Sequence, residues 1–294
     1  MTILNTLYLT NSVLTNALLT CGGNLTVTNS GTNSGAFYVY SGMTNSTWPN
    51  YGGLVRVTGD VFVASNSYIY PYSHPTNGGS VFFSVRNLTL ASNGAINATG
   101  LGYAGVVGTN GLGPGRGYMK DDWVGSGAGY GGAGGAGGGT GPAGGTTYGS
   151  SNAPVDPGSS GGGSKPGGVY KQGGNGGGSV RIQASQRVTV NGAISAAGNA
   201  AGGSYGGGGS GGGIYVHCRE FCGSGTITAI GGNGGHPTAG GGGGGGGRIA
   251  VWREYDHSSG LTNYVTGGTG TVSGGLGTVV FVLIPHKGTI ISVR

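Results

Sequence analysis

The apolar residues of this chain fall into short segments of alternating or continuous hydrophobic positions, each bounded by Gly, Asn, Ser or Pro. Such segments are typical of β-strands that end at turns. No long segment places apolar residues at the three-and-four spacing of an amphipathic helix, so we expect no packed helices. In the first hundred residues the predicted strands are 25–28, 36–41, 54–65, 68–72, 80–85 and 88–92.

One strand-rich block recurs along the chain. Residues 179–198 read SVRIQASQRVTVNGAISAAG, and residues 80–100 read SVFFSVRNLTLASNGAINATG. A weaker copy, IYVHCREFCGSGTITAIGG, covers residues 214–232. A unit that recurs in the same internal order, with glycine before each copy, indicates a stacked array. The units start at Leu54, Ser80, Ser179, Ile214, Arg248 and Thr278.

The predicted strands lie too close together for the helical crossovers of an α/β sheet, which leaves an antiparallel sandwich or a solenoid. The recurring unit favours the solenoid, because stacked turns keep their strands while the loops at one corner vary in length. We therefore predict an all-β fold, a parallel β-helix or β-solenoid with glycine-rich excursions. Residues 1–100 would form Thr/Asn-rich turns, 101–178 a long glycine-rich excursion and 179–294 further turns, all within one continuous domain.

Glycine accounts for 77 of the 294 residues, about a quarter of the chain against a usual share of ~7%. Flexible linkers have such compositions, but packed glycine chains do as well. Packing is favoured because the tracts recur at the same point of the unit, carry little charge and contain tyrosines such as Tyr103 and Tyr130. Chains without side chains can lie side by side and hydrogen-bond laterally, in the manner of polyglycine II.

Charged residues make up only 7% of the chain, and a net charge of +6 is spread thinly along it. Nucleic-acid-binding proteins cluster Lys and Arg on one face, so we expect no nucleic-acid partner here. The seven carboxylates are too few for a convincing calcium site, and a polysaccharide-cleaving pair needs two carboxylates about 5–10 Å apart. Glu254 and Asp256 share a strand face, but a charged loop after the strand at 248–252 is the favoured interpretation. We expect no enzymatic activity, catalytic residue, metal or cofactor.

Three cysteines are present, Cys21, Cys218 and Cys222. On an extended strand, positions 218 and 222 lie ~13 Å apart, which is too far for a disulfide unless the strand bends. Buried thiols are therefore favoured, and a metal held by His217, Cys218 and Cys222 is the alternative.

No apolar run of about 18 residues exists, so no membrane span is expected. Residues 1–10 do not resemble a signal peptide, which suggests a removed leader or a segment of a longer chain.

Three segments carry a resemblance to a known family: GGGSVRIQA with VNGAISAAG, GGGIYVHC with GSGTITAIGGNGG, and GGGGGRIAVW with GGTGTVSGGLGTVVFV. They resemble the glycine-rich β-helix repeats of large bacterial secreted and surface proteins, many of them adhesin-like. The resemblance covers residues 52–282 and implies an extracellular, elongated, non-enzymatic module. A weaker resemblance, carried by the glycine runs at 206–209 and 240–247, is to phage tail-fibre adhesins with polyglycine-rich tips.

The favoured hypothesis is an extracellular or cell-surface structural protein that self-associates into a filament or fibre. The basis for this hypothesis is that a solenoid without a polar cap exposes unpaired strand edges, which can pair with a strand of another copy. The predicted assembly strand consists of Thr278, Val279, Val280, Phe281, Val282 and Leu283.

The alternative hypothesis is an adhesin that binds a surface glycan through exposed aromatic residues, while an enzyme acting on polysaccharide is least expected. The candidate contact residues are Trp48, Tyr68, Tyr70, Tyr72 and Trp123. Four Asn-x-Ser/Thr sequences make Asn24, Asn45, Asn87 and Asn97 candidates for N-glycosylation.

Overall fold

In the computed structural model, nearly all of the regular secondary structure that is described is β-strand. The structure describes residues 1–10, 17–31, 33–46, 49–120, 123–236 and 240–285, and these ranges contain no α-helix. One three-residue 3-10 helix spans Pro166–Gly168. In chain order the strands are β1 Thr2–Leu4, β2 Thr6–Thr10, β3 Ala17–Cys21, β4 Leu25–Thr28, β5 Gly35–Tyr40, β6 Gly53–Val63, β7 Ser67–Tyr72, β8 Val81–Leu90, β9 Ala95–Asn97, β10 Met119–Lys120, β11 Val124–Gly125, β12 Val180–Ala184, β13 Arg187–Val190, β14 Ala193–Ser195, β15 Gly213–Gly223, β16 Thr226–Thr228, β17 Arg248–Ser258, β18 Thr262–Tyr264 and β19 Thr278–Leu283.

Most strands belong to two parallel sheets. The larger sheet has ten strands in the order β1-β4-β6-β8-β12-β15-β17-β19, with β3 paired to β6 and β13 paired to β8 and β15. The smaller sheet has seven strands in the order β18-β16-β14-β9-β7-β5-β2. Among the named strands that the structure describes, only the β10–β11 hairpin is antiparallel. The predicted all-β, parallel fold is confirmed, and the antiparallel sandwich is excluded.

The predicted unit starts match strand starts in the larger sheet. The strands β6, β8, β12, β15, β17 and β19 begin within one residue of the predicted positions, and they are neighbours in this order. From β4 onward the chain alternates between the two sheets, apart from the excursion at 101–178 and the consecutive pair β12 and β13. One repeat unit therefore contributes one strand, or a strand pair, to the larger sheet and one strand to the smaller sheet.

Register places like residues above one another along the stack. One inward column in the larger sheet runs through Val55, Phe83, Ile182, Val216, Val251 and Phe281. The matching column in the smaller sheet runs through Phe37, Ile69, Ile96, Ile194 and Ile227. The buried side chains of both sheets form a single hydrophobic cluster. Because strand side chains alternate with a period of two, a slip of one residue would expose a whole column.

The two sheets continue across the long segment at 101–178. The strand before it, β8, pairs directly with β12 and β13 after it, and β9 pairs with β14. The regular elements described within this segment are the β10–β11 hairpin and the 3-10 helix. The segment thus leaves the sheets and returns to them one unit further along the stack.

The glycine-rich segments pack against one another in the interior. Every residue of 206–213 and of 240–247 is buried. The backbone N–H groups of 207–212 donate to three different neighbouring segments in turn. Gly207 donates to Gly162, and Ser210 donates to Ser159. Gly208 donates to Gly242, and Gly211 donates to Gly245. Gly209 donates to Asn199, and Gly212 donates to Ala196.

The same three-residue period holds in the segment 241–247. There every third N–H, at Gly241, Gly244 and Gly247, donates to one neighbouring segment, reaching the carbonyls of Gly235, Gly232 and Ala229 respectively. An extended chain with three residues per turn and no internal hydrogen bonds presents its donors in this rotating order. The direction of donation therefore turns by about a third of a circle per residue, and each segment bonds to several neighbours.

Only glycine fits at many of these positions. A Cβ on Gly244 would lie 2.0 Å from the carbonyl oxygen of Gly209, and one on Gly208 would lie 2.0 Å from that of Gly232. Backbone fills the space that a side chain would need, so the glycine content is a packing requirement of the fold.

We expect Gly244→Ala to lower the free energy of unfolding by about 1–3 kcal/mol or more, because backbone must move to admit the methyl group. Gly22→Ala is the matched control, since no atom lies within 4 Å of its Cβ position. That control should be neutral or slightly stabilising, since alanine restricts the unfolded chain. Denaturant unfolding of the two variants measures the difference, and equal stabilities would contradict the packing.

Candidate functional site

The predicted assembly strand is the last described strand of the larger sheet, β19. It pairs with β17 along one edge, and no strand in the described part of the chain pairs with its other edge. An unpaired edge presents a row of backbone donors and acceptors to its surroundings. The strand itself was predicted correctly, and its role in assembly stays a prediction.

Among the described residues, the inward face of the sheet is only partly covered at β19. Val279 and Leu283 lie on the inward face of β19 and are 40% and 63% exposed. In the preceding strand, Ile249 and Val251 of the same face are 0% exposed. Val272 and Leu276, in the segment that leads into β19, are exposed as well. We call the four exposed residues Val272, Leu276, Val279 and Leu283 the end surface.

Tyrosines stack in register on the outward face of the smaller sheet. The rings of Tyr8, Tyr38 and Tyr70, from three neighbouring strands, lie 4.7 Å apart at each step with 14° between their planes. Tyr40 and Tyr72 form a second stack with centroids 4.3 Å apart. Neighbouring strands are about 4.8 Å apart, so aromatic residues in register stack at the strand spacing. We call these five residues the tyrosine ladder.

Burial suppresses ionisation of the two ladder tyrosines on β7, Tyr70 and Tyr72. Burial, followed by the nearby Tyr40, raises the pKa of Tyr72 to about 12. Burial raises the pKa of Tyr70 as well, with Tyr38 and Tyr68 adding to the shift. Tyr70 and Tyr72 therefore contribute protonated hydroxyl groups to this aromatic surface.

The predicted aromatic contact residues separate into different places. Tyr68, Tyr70 and Tyr72 lie together on β7, half-buried on the outward face. Trp123 lies in the β10–β11 hairpin, where it is 57% exposed beside a cavity of about 210 Å³. Trp48 falls outside the described residues. Sequence reasoning missed Tyr8, Tyr38 and Tyr40, because their place in the ladder depends on register between strands far apart in the chain.

A polar groove of about 610 Å³ crosses the outer face of the larger sheet. Successive strands contribute Asp60, Asn87, Arg187 and Glu220 to it. The Asn87 amide donates to Asp60 Oδ1 at 2.7 Å, and Arg187 Nε donates to Glu220 Oε2 at 2.7 Å. The Arg187 hydrogen bond holds the pKa of Glu220 below its usual value. These carboxylates are therefore engaged by neighbours within the groove.

Two of the candidate glycosylation residues, Asn24 and Asn87, line the polar groove beside Asp60, and the other two lie elsewhere. The side-chain Oδ1 of Asn24 accepts from the N–H of Asp60 at 2.9 Å, and Oδ1 of Asn87 accepts from the N–H of Arg187 at 2.9 Å. Asn97 Oδ1 accepts from the N–H of Thr99 at 3.0 Å. Asn45 is half-buried in the loop after β5. Glycosylation of these residues stays a prediction.

All three cysteines are free thiols. Cys218 is buried, and burial raises its pKa to about 12. Within the described ranges no three His, Cys, Asp or Glu side chains are grouped closely enough to hold a metal ion.

The charged segment after residue 252 is part of a strand, because β17 continues to Ser258. The interpretation of this segment as a charged loop was wrong. Arg253 pairs with Asp256 at 2.6 Å, whereas Glu254 lies 3.7 Å from Arg219. The two carboxylates therefore have different arginine partners.

A buried polar cluster attaches the long excursion to the larger sheet. The guanidinium of Arg248, at the start of β17, donates to the carbonyls of Tyr148 at 3.0 Å and Tyr130 at 3.3 Å. It also donates to Thr278 Oγ1 at 3.2 Å, at the start of β19. Asp156 lies in the same cluster, where burial raises its pKa although the Arg248 charge opposes the shift.

The raised pKa of Asp156 predicts a pH-dependent contribution to stability. Since the folded protein holds this proton more tightly than the unfolded chain does, stability falls as pH rises from about 4 through the folded pKa. We expect Asp156→Asn to remove that fall, so its stability relative to wild type should improve between pH 4 and pH 8. Denaturant unfolding across this range measures the difference.

Asp256→Asn is the control of opposite sign. Burial opposes ionisation of Asp256, but hydrogen bonds from Ser258 and Arg253 outweigh it and lower the pKa. This variant should lose stability relative to wild type as pH rises. A pH-independent difference for Asp156→Asn would show that its carboxyl titrates alike in both states.

No helix in the described part of the chain has the length and apolar character needed to span a membrane. The chain matches no family model, no curated protein and no solved structure. The end surface, the tyrosine ladder and the polar groove are therefore the features from which its function is inferred.

Proposed function

We propose that this protein is an extracellular structural subunit, a β-solenoid whose copies join end to end into a surface filament or fibre. The observation that supports this proposal best is the partly covered inward face at β19. Val279 and Leu283 are 40% and 63% exposed, although Ile249 and Val251 on the same face of the preceding strand are fully buried.

The solenoid interpretation is supported by the order of strands. Strand order in both sheets follows chain order, the strands pair in parallel, and inward columns repeat from unit to unit. Each unit then depends mainly on its two neighbours, as in other repeat architectures. The rotating hydrogen bonds of the glycine-rich segments support a polyglycine-II-like lattice along one side of the coil. Together these features favour a stiff rod.

End-to-end association is supported by the chemistry of the two ends. The end surface combines exposed apolar side chains with an unpaired strand edge, and both are stabilised when another strand covers them. At the opposite end, Leu4 and Tyr8 are 56% and 59% exposed. Because the two ends differ, contact between them is head-to-tail, and a head-to-tail contact that does not close into a ring extends into a filament.

The full chain should show mass that increases with concentration in light scattering, and filaments by electron microscopy. Val279→Lys with Leu283→Lys should give monomers, because charges would be buried unpaired at the junction. The matched control is Val107→Lys with Val169→Lys, two valines of the long excursion that are each 55% exposed. This control should assemble like wild type. A monomeric wild-type protein at high concentration, or unchanged assembly of the end-surface variant, would count against the proposal.

A further inference from the structure

The outward face of the smaller sheet changes character beyond the tyrosine ladder. Tyr68 stands in register with Ala95, Ala193 and Thr226 on the next three strands. The large ring is thus followed by three small side chains in the same column. They leave a shallow trough of about 510 Å³ with Tyr68 in its lining, which is within the usual size range of small-molecule sites.

The three small side chains form the floor of the trough, and a row of polar side chains borders it. Asn66, Asn93, Asn191 and Ser224 each stand two residues before the register-matched residue of their strand. All four are exposed and line the trough. Turn geometry accounts for two of them, since Asn66 and Asn93 have φ values of 52° and 61°, which asparagine tolerates. Asn191 is not among the residues with positive φ.

The composition of the trough indicates the class of ligand. Apart from Tyr68, its lining consists of Asn, Gly, Ala, Ser and Thr, with no charged side chain. A phosphate, sulfate or carboxylate group would find no cation there. A pyranose ring fits this chemistry, because its C–H face packs on aromatic and apolar surface while its hydroxyl groups pair with amides.

The spacing of the amides favours a linear ligand. Strands in the sheet repeat about every 4.8 Å, which is close to the length of one sugar in an extended chain. An oligosaccharide that lies along the stacking direction would therefore meet one amide or hydroxyl side chain per sugar. At one end its terminal ring would contact Tyr68.

We propose that this trough binds a neutral, linear oligosaccharide of hexopyranose units. The site lies on a lateral face and uses no residue of the end surface. It therefore stays accessible when copies join end to end, and a filament would present one such site per subunit. Sites repeated along a filament bind a polymeric glycan with an avidity that exceeds the affinity of a single site.

The polar groove of the larger sheet is the main competing location. Its Asp60 and Glu220 carboxylates already accept hydrogen bonds from Asn87 and Arg187. A sugar there would have to displace these contacts, and the arginines of the groove would favour an acidic ligand. The preference of the protein between neutral and acidic oligosaccharides consequently distinguishes the two locations.

Isothermal titration calorimetry on the full chain tests the proposal. The probes are β-1,4-linked hexasaccharides of glucose, mannose and N-acetylglucosamine, with hexagalacturonate as the acidic counterpart. At least one neutral hexasaccharide should bind more tightly than hexagalacturonate. Tyr68→Ala should weaken that binding by about tenfold or more, the usual effect of truncating an aromatic anchor. Ala193→Gln, which fills the floor, should abolish it.

Two further variants serve as controls. Tyr68→Phe keeps the ring and should retain binding within about threefold, a loss of under 1 kcal/mol by the usual conversion. Tyr8→Ala removes an equally outward tyrosine at the far end of the ladder and should bind like wild type. Circular dichroism and thermal unfolding of each variant establish that the fold is kept.

Three results would overturn the proposal. They are the absence of binding by every neutral hexasaccharide, tighter binding of hexagalacturonate, and binding that folded Tyr68→Ala and Ala193→Gln variants retain. The monomeric Val279→Lys, Leu283→Lys variant should bind the same sugar with unchanged single-site affinity. Failure of assembly and failure of glycan binding are therefore separate outcomes.

Discussion

Lateral hydrogen bonding between neighbouring backbones is the interaction on which the whole structure depends. In the two sheets these bonds lie between parallel strands, and in the glycine-rich segments they turn through three directions along each chain. Buried N–H and C=O groups must be paired, so a chain without sheet partners on both sides needs other backbones within reach. Glycine permits that approach because, as at Gly244, the place of a side chain is filled by a neighbouring carbonyl. The unusual composition of the protein follows from this requirement.

A structure stabilised in this way has two kinds of surface. At the β19 edge of the larger sheet, no strand among the described residues continues the hydrogen bonds, and Val279 and Leu283 are exposed. Along the sides, the paired strands already bond to neighbours, and their outward residues take no part in the hydrophobic core. The proposed end-to-end association depends on a further strand continuing the interactions of β19. The proposed glycan site depends on outward residues of the sides, which can vary without affecting the core.

The strands and the unit starts could be predicted because both are local properties. Alternation with a period of two and flanking glycines mark Leu54, Ser179 and Thr278 within one residue of the observed strands. Other features depend on partners that are distant in the chain. The charged segment of β17 looks like a loop in isolation, yet it is held as a strand by five of the ten register pairs between β17 and β15. The tyrosine ladder likewise required the register that aligns Tyr8 with Tyr38 and Tyr70.

Register also explains why the sequence predicted Tyr68 as a contact residue but did not predict the trough beside it. A single exposed tyrosine indicates a contact residue but not the shape of the site around it. The site exists because the column that contains Tyr68 continues into Ala95 and Ala193, so that a large side chain is followed by small ones at the same outward position. The hydrophobic core requires neither a large nor a small side chain at these outward positions, since Ile69, Ile96 and Ile194 on the opposite face fill the core. An outward column that changes abruptly from large to small residues is therefore free to serve binding, and in a repeat structure such a change can be recognised once the register is known.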